Sequence, residues 1–395
     1  VNYGIVAEFN PFHNGHKYIV DTLKANGENT ITAVMSESFV QRGECACMSP
    51  YERTKAALLN GVDLVLSLPV PYATASAERF ALGGVTVLGS MGCIDALGFG
   101  SECGDVECLT KCAKAITAEE FSPLLENRLS EGLSFPTARQ KALRDMYGDA
   151  FADALSSPND LLGVEYIKAI DKNKFPIKPI AIKRVGVSHD SNEVSVNFCS
   201  ASAIRSFLKN GNEIKEFMPE ESFEILNEAV LSGNAPADFT KLENAILYKL
   251  RTMSIDDFKK IADVSEGLEY RFFEAVRNSV TLTEILEKVK TKRYTHSRLR
   301  RIVLCALLGI TEEYTDIPVA YIRVLGFNEK GAEILKQAKN TATLPIVTKS
   351  SDIKYLDKNA KKIFELECKA RDIFSLCLPV PQVCGKEMTD KLIVL

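Results

Sequence analysis

The stretch Asn10-Pro11-Phe12-His13-Asn14-Gly15-His16 constrains this chain more than any other. An apolar run from Tyr3 to Phe9 precedes it and reads as a strand, and a helical pattern from Lys17 to Leu23 follows. Two histidines three residues apart at a helix start lie about one turn from each other, on one face. The helix start offers unpaired N–H groups and a partial positive charge, a natural seat for phosphate. Gly15 lets a nucleotide approach the backbone with no Cβ in the way. The same pair could bind a metal, or simply cap and pack the helix. The context of strand, Asn-Pro loop and helix favours the nucleotide reading, whose parts suit stabilisation of charge on a phosphoryl group.

From Thr30 onward, strand and helix patterns alternate. Thr30 to Met35 is β-rich; Ser49, Pro50 and Glu52 read as N-cap, first position and capping-box partner of a helix that stops at Gly61. Val62 to Leu68 is a buried-strand run, Ser76 to Leu88 a helix, and Ile94 to Phe99 another strand. Such alternation implies a parallel sheet covered on both faces, with ligands beyond the carboxyl ends of its strands. Helical patterns fill Thr110 to Tyr147. The turn Ser157-Pro158-Asn159-Asp160 leads into a helix from Leu161 to Ile170, Pro179 to Val185 is a strand, and a polar loop follows.

The pattern H-x-G-H resembles the signature of the nucleotidyltransferase superfamily, whose members split a nucleoside triphosphate at its α-phosphate. Ser200-Ala201-Ser202-Ala203-Ile204-Arg205 resembles that superfamily's second signature. Hydroxyls and N–H groups there can hold the β- and γ-phosphates, and Arg205 can neutralise them with its fork of donors. Alone, this segment reads better as an ordinary capped helix with an exposed arginine; two motifs about 190 residues apart in the expected order make the stronger case.

Beyond Asn210 the alternation fades into helices: Glu220 to Leu231, Asp238 to Met253, Ile255 to Val264 and Leu268 to Ser279. A last segment from Ala320 mixes the helix Glu329 to Lys339 with short β-rich runs such as Leu344 to Thr348. Net charge is −4 over 395 residues, so any nucleic-acid contact must come from a local patch. One patch qualifies. Between Glu287 and Glu312 no acidic residue occurs, while Lys288, Lys290, Lys292, Arg293, Arg298, Arg300 and Arg301 gather around Tyr294 and His296. Cations mixed with an aromatic ring suit RNA, although a short charge run is more often a solvated helix face. Arg323 and Lys349 could extend the patch. The eleven cysteines match no common metal spacing, and no long apolar span or secretory leader is evident. We therefore expect reduced thiols, no bound structural metal, no membrane contact and a cytoplasmic location.

The chain resembles the bacterial tRNA(Met) cytidine acetate ligase family nearly end to end. The likeness runs through Glu8 to His16, Met35-Ser36, Phe39 to Glu44, Gly61 to Val65, Phe99 to Glu102 and Pro158 to Gly163. It continues in Ile182 to Arg184, Ser200 to Arg205, Lys292 to Thr295 and Tyr321 to Phe327. One departure is visible: Glu37 stands where the family more often carries Gly, which bears on the shape of that loop. The resemblance implies acetate activation by ATP to acetyl-adenylate, then acetyl transfer to N4 of the wobble cytidine of elongator tRNA(Met), with Mg²⁺ on the phosphates. It implies a Rossmann-like α/β nucleotidyltransferase domain with a parallel sheet, residues 1–210, followed by a mainly helical region, residues 211–395, that binds tRNA. ATP contacts are then expected at Ile5, Val6, Ala7, Glu8, Phe9, Asn10, Pro11, Phe12, His13, Asn14, Gly15, His16, Lys17 and Tyr18, and at Gly100, Asn159, Arg184, Ser200 and Ser202. His13, His16 and Arg205 would carry the chemistry, and Lys290, Lys292, Arg293, Tyr294, Arg298, Arg300 and Arg301 the RNA. A small-molecule adenylyltransferase, a carboxylate–amine ligase or a non-catalytic RNA-binding protein are the rival readings; the first two leave the basic segment idle.

Overall fold

Ten strands appear in a computed structural model that describes every residue except Asn26, residues 185–197 and Glu266. In chain order they are β1 (Asn2–Ala7), β2 (Thr30–Ser36), β3 (Phe39–Val40), β4 (Glu44–Cys45), β5 (Leu64–Leu68), β6 (Ala96–Ser101), β7 (Lys178–Lys183), β8 (Ile322–Phe327), β9 (Ile346–Val347) and β10 (Ile393–Val394). Among the described residues, eight build one sheet in the order β10-β8-β5-β2-β1-β6-β7, with β9 also on β8, while β3 and β4 form a separate hairpin. Pairing is parallel from β5 through β7, as the alternation implies; β8 runs antiparallel to β5. The strand end expected at Val185, and the polar loop expected after it, lie outside the described residues.

Local chemistry sets the element ends. Ser49 caps the helix Pro50–Leu59 by accepting from Glu52 N–H, and the Glu52 carboxylate accepts from Ser49 N–H in return. Side chains alternate across the sheet with period two. Ile31, Ala33, Met35 and Val65 face the helices Asn14–Lys24 and Pro50–Leu59. Val34, Leu64, Leu66 and Leu97 face the helices Ala77–Ser90, Pro158–Asn173 and Glu329–Thr341. Both faces are therefore covered, as a parallel sheet requires.

A second core lies among the helices Glu243–Thr252, Ile255–Lys260, Leu268–Arg277, Leu282–Val289, His296–Leu308 and Lys358–Ser375. Phe39, Val40 and Cys45 of the hairpin belong to that helical core and not to the sheet's. Residues 211–395 are thus not purely a helical appendage: β8 enters the sheet beside β5 from far beyond residue 210. The sequence expectation of short β-rich runs after Ala320 does not foresee that place. The apolar run of β8 is interrupted by Arg323, and the groups that receive this side chain are distant in the chain. Glu37, Glu367 and Glu387 surround the buried Arg323, and Glu387 pairs with it directly. Burial first, and then the charge of Glu37, pushes the carboxyls of Glu367 and Glu387 up to about 8. Arg323 therefore cannot extend a surface patch. The loop around Glu37 is shaped by the same cluster, since Ser67 Oγ also donates to its carboxylate.

Candidate active site

The chain moves from β1 outward to β2 and β5, then returns to β6 on the other side of β1, so the switch point lies between β1 and β6. Ile5, Val6 and Ala7 lie in β1, and Glu8 to Phe12 form the loop that leaves it. Phe9 adopts a left-handed backbone, φ 45°. Phe9 and Phe12 are fully buried, and their rings lie 5.1 and 5.5 Å from the His16 ring. They form an apolar floor under the histidines.

The helix Asn14–Lys24 begins earlier than its hydrophobic pattern, because His13 itself is the N-cap. His13 Nδ1 accepts from Gly15 N–H at 3.0 Å, and His16 Nδ1 accepts from His13 N–H at 3.3 Å. This is a capping box built from two histidines. Its consequence is chemical: with each Nδ1 used as acceptor, the neutral ring carries its proton on Nε2 and presents a donor there. Neutrality is enforced. Burial, then the charges of Arg184 and Arg205, holds His13 down to about 3; burial, then His13 and Arg184, holds His16 well below the usual imidazole range. The rings sit 3.9 Å apart between centroids. Gly15 is needed for the cap, since a Cβ there would lie 2.8 Å from His13 Cε1.

Charge converges on this pair. Arg205, from the helix Ala201–Lys209, donates to Asn10 O at 2.8 Å. Ser200 caps that helix by accepting from Ala203 N–H, and its hydroxyl lies 3.1 Å from that of Ser202. Arg184 is exposed just past β7, with its stem beside Gly100 at the end of β6. The turn after β6 is clamped by the buried Asp160, which accepts from Glu102 N–H at 2.9 Å, Cys103 N–H at 3.1 Å and the Ser101 hydroxyl. The Glu102 carboxylate reaches back to Asp160 N–H and, at 2.5 Å, to Asn159 Nδ2. Asn159 therefore has its amide nitrogen engaged. Lys17 and Tyr18 follow on the first helix; Lys17 pairs with Asp21 at 2.5 Å, and Tyr18 meets Phe198 edge-on.

Sequence reasoning assigns no role to three residues that hold these parts. Arg53 is fully buried and donates to four carbonyls: Glu8 O at 2.6 Å, Ser36 O at 2.8 Å, Met48 O at 3.2 Å, and Glu37 O. It ties the exits of β1 and β2 to the start of the helix Pro50–Leu59. Asp160 clamps the β6 turn, and Glu44 faces Arg205 at 3.7 Å. Only proximity in space reveals them. Among the described residues, no group of three or more His, Cys, Asp or Glu could hold a metal ion.

The basic segment divides. Tyr294 is buried in the helical core and cannot be an open stacking surface. Arg298 and Arg301 turn inward to Asp263, at 3.3 and 3.0 Å, and Lys290 Nζ donates to the carbonyls of Thr291 and Tyr294. A one-dimensional charge run cannot distinguish these inward-facing residues from the exposed Lys292, Arg293 and Arg300.

The family model described as HIGH Nucleotidyl Transferase matches residues 2–389. The chain is 36% identical to the tRNA(Met) cytidine acetate ligase of Acetivibrio thermocellus, covering 99% of each chain. It is 42% identical to that of Caldicellulosiruptor saccharolyticus over 94% of this chain and 93% of the relative. Thermotoga maritima TmcAL bound with alpha-thio ATP superposes with a TM-score of 0.92 at 36% identity, over 100% of this chain and 99% of that one. No described helix is long and apolar enough to cross a membrane. With its histidine-capped helix at the switch point and full-length likeness to these relatives, the chain belongs to the tRNA(Met) cytidine acetate ligase family of HIGH nucleotidyltransferases.

Proposed function

We propose that this protein activates acetate with ATP and passes the acetyl group to N4 of the wobble cytidine of elongator tRNA(Met). The observation that carries the reading is the pair of neutral histidines, each presenting an Nε2–H donor beside Arg184 and Arg205. An acetate oxygen attacks the α-phosphorus, the bond to the bridging oxygen breaks, and pyrophosphate leaves. Charge grows on the non-bridging oxygens and on pyrophosphate. Preorganised donors on an apolar floor stabilise such charge without reorganising. Neutral rings donate without gaining a proton, so they do not have to charge in a buried place.

ATP lies, in this reading, along the β1 exit from Ile5 to Tyr18, beside Gly100, Asn159 and Arg184, with its outer phosphates at Ser200, Ser202 and Arg205. Asn159 Nδ2 is engaged by Glu102, which leaves Oδ1 as an acceptor, the polarity an adenine amino group needs. Mg²⁺ belongs to the reading as companion of the triphosphate, whose oxygens are hard ligands suited to it. In the second step the cytidine amine attacks the acetyl carbonyl, its proton is lost and AMP departs. Positioning supplies most of that acceleration, and a single-stranded wobble base can be splayed out at modest cost. Lys292, Arg293 and Arg300 are the exposed cations for the RNA. Residues 1–210 supply the catalytic site and the helical part of residues 211–395 the tRNA surface, in a cytoplasmic enzyme. The test is incubation with ATP, Mg²⁺ and labelled acetate, with and without elongator tRNA(Met), followed by digestion to nucleosides. Labelled N4-acetylcytidine is expected; acetyl-adenylate alone would return the acceptor to question, and neither product would overturn the reading.

A further inference from the structure

The β3–β4 hairpin touches both halves of the proposed enzyme. On one side Gln41 N–H donates to the Glu8 carboxylate at 2.9 Å, at the exit of β1. On the other, Gly43 lies so close to the helix His296–Leu308 that a Cβ would meet the backbone of Arg300 and Arg301 at 2.7 Å. Gly43 also has φ +74°, so a side chain there is strained as well as crowded. Between these contacts stands Glu44. One oxygen of its carboxylate pairs with Arg300 Nη1 at 2.6 Å, and the other faces Arg205 Nη2 at 3.7 Å. Side-chain exposure is 46% for Arg300, 33% for Glu44 and 23% for Arg205, so both cations remain reachable from solvent.

We infer that Glu44 is a shared counterion that sets nucleotide triphosphate at Arg205 against RNA phosphate at Arg300, and so orders the two half-reactions. The inference rests on the function proposed above. One carboxylate cannot fully pair with two arginines, and whichever it leaves is the better phosphate ligand. When triphosphate engages Arg205, repulsion between phosphate and carboxylate drives Glu44 onto Arg300, and RNA must then compete with a tightened ion pair. Once pyrophosphate has left, Glu44 is again shared between the two arginines, as in this structure, and RNA competes for Arg300 with a weaker ion pair. The antagonism is reciprocal, because a coupling free energy has no direction. Its size is bounded by partly exposed ion pairs, which are worth about 1 kcal/mol at most, or about fivefold in affinity.

The test is the dissociation constant of an elongator tRNA(Met) transcript for the full-length protein, with and without saturating α,β-methylene-ATP. The wild type is expected to bind the transcript several-fold more weakly with the analogue present, and less so at high salt. In Glu44→Gln the two constants are expected to coincide, while each ligand alone still binds. Arg300→Gln, which cuts the other end of the bridge, is expected to lose the coupling as well, and serves if the first variant does not fold. Antagonism of the same size in both variants would mean that general repulsion between the two anions is the cause, and would overturn the inference. So would a wild type that shows no antagonism. If the wild type acetylates the tRNA and only the coupling result fails, this inference falls alone; if no acetylcytidine forms, the proposed function falls first.

Discussion

Replacing Arg53 by methionine removes the donor shared by four carbonyls that line one end of the sheet. Arg53 is 0% exposed, and its bonds end on Glu8, Ser36, Glu37 and Met48. A buried acceptor left without a donor costs about 1–3 kcal/mol, so four would approach 10 if they added. They do not add fully. Burial already holds the guanidinium down to about 10, and deleting that charge returns part of its desolvation cost. A net loss of about 3–5 kcal/mol follows, the range for breaking one side of a buried charged network. Against an ordinary stability of about 5–15 kcal/mol, that is a large share. Urea unfolding at neutral pH reads it directly, and titration of an ATP analogue into the folded variant at low temperature reads the loop. Affinity should drop at least about tenfold, because the β1 exit that carries His13 has lost its anchor. Arg53→Lys, with a flexible stem and fewer donors, should fall between. An unchanged urea midpoint together with unchanged ATP affinity would refute the argument.

Other perturbations separate chemistry from packing. His16→Ala should abolish acetyl-adenylate formation with the fold kept; unchanged pyrophosphate release would sink the assignment. Lys292→Ala with Arg293→Ala should weaken tRNA binding and flatten its salt dependence by up to about one unit of log–log slope per lost phosphate contact, with acetate activation intact. Arg298→Ala with Arg301→Ala should instead lower thermal stability, since both pair with Asp263; loss of RNA affinity at unchanged melting temperature would contradict this. The carboxyl of Glu387 is raised from its ordinary value of 4.5 to about 8, so the native state keeps a proton that the unfolded chain releases. Its contribution is present below about pH 4.5 and is lost as pH rises through about 8, at up to about 1.4 kcal/mol per unit. Glu387→Gln should remove part of that loss between about pH 5 and 8, the neighbouring Glu367 supplying the rest; parallel urea profiles would count against it.

The legible parts of the fold were those written in neighbouring residues. Ser49, Pro50 and Glu52 announce a helix because the cap closes on itself, and the run ending at Leu68 reads as a buried strand whatever surrounds it. The histidine pair is legible as a helix-start feature with capping among its readings, but the reciprocal box through both Nδ1 atoms is not, because histidine is no usual N-cap. Arg53 carries no local sign of burial; its carbonyl partners come from the exits of β1 and β2 and from the turn before its own helix. Strand β8 hides for the same reason, since the three glutamates around Arg323 belong to residues 37, 367 and 387. The basic segment is readable as charge and not in direction, because Asp263, which turns Arg298 and Arg301 inward, lies outside the segment.

The place of β8 also bears on how the molecule is made. Until residues 322–327 leave the ribosome, β5 presents an unpaired edge bearing Leu64 and Leu66, although both histidines and Arg205 have already emerged. Such an edge invites pairing with other chains. Arg323 then has only Glu37 of its three carboxyl partners until Glu367 and Glu387 follow. The sheet that carries the histidine pair thus matures only when the C-terminal quarter arrives. A translation product arrested near residue 310 would hold every motif of the proposed first half-reaction and still be an aggregation hazard.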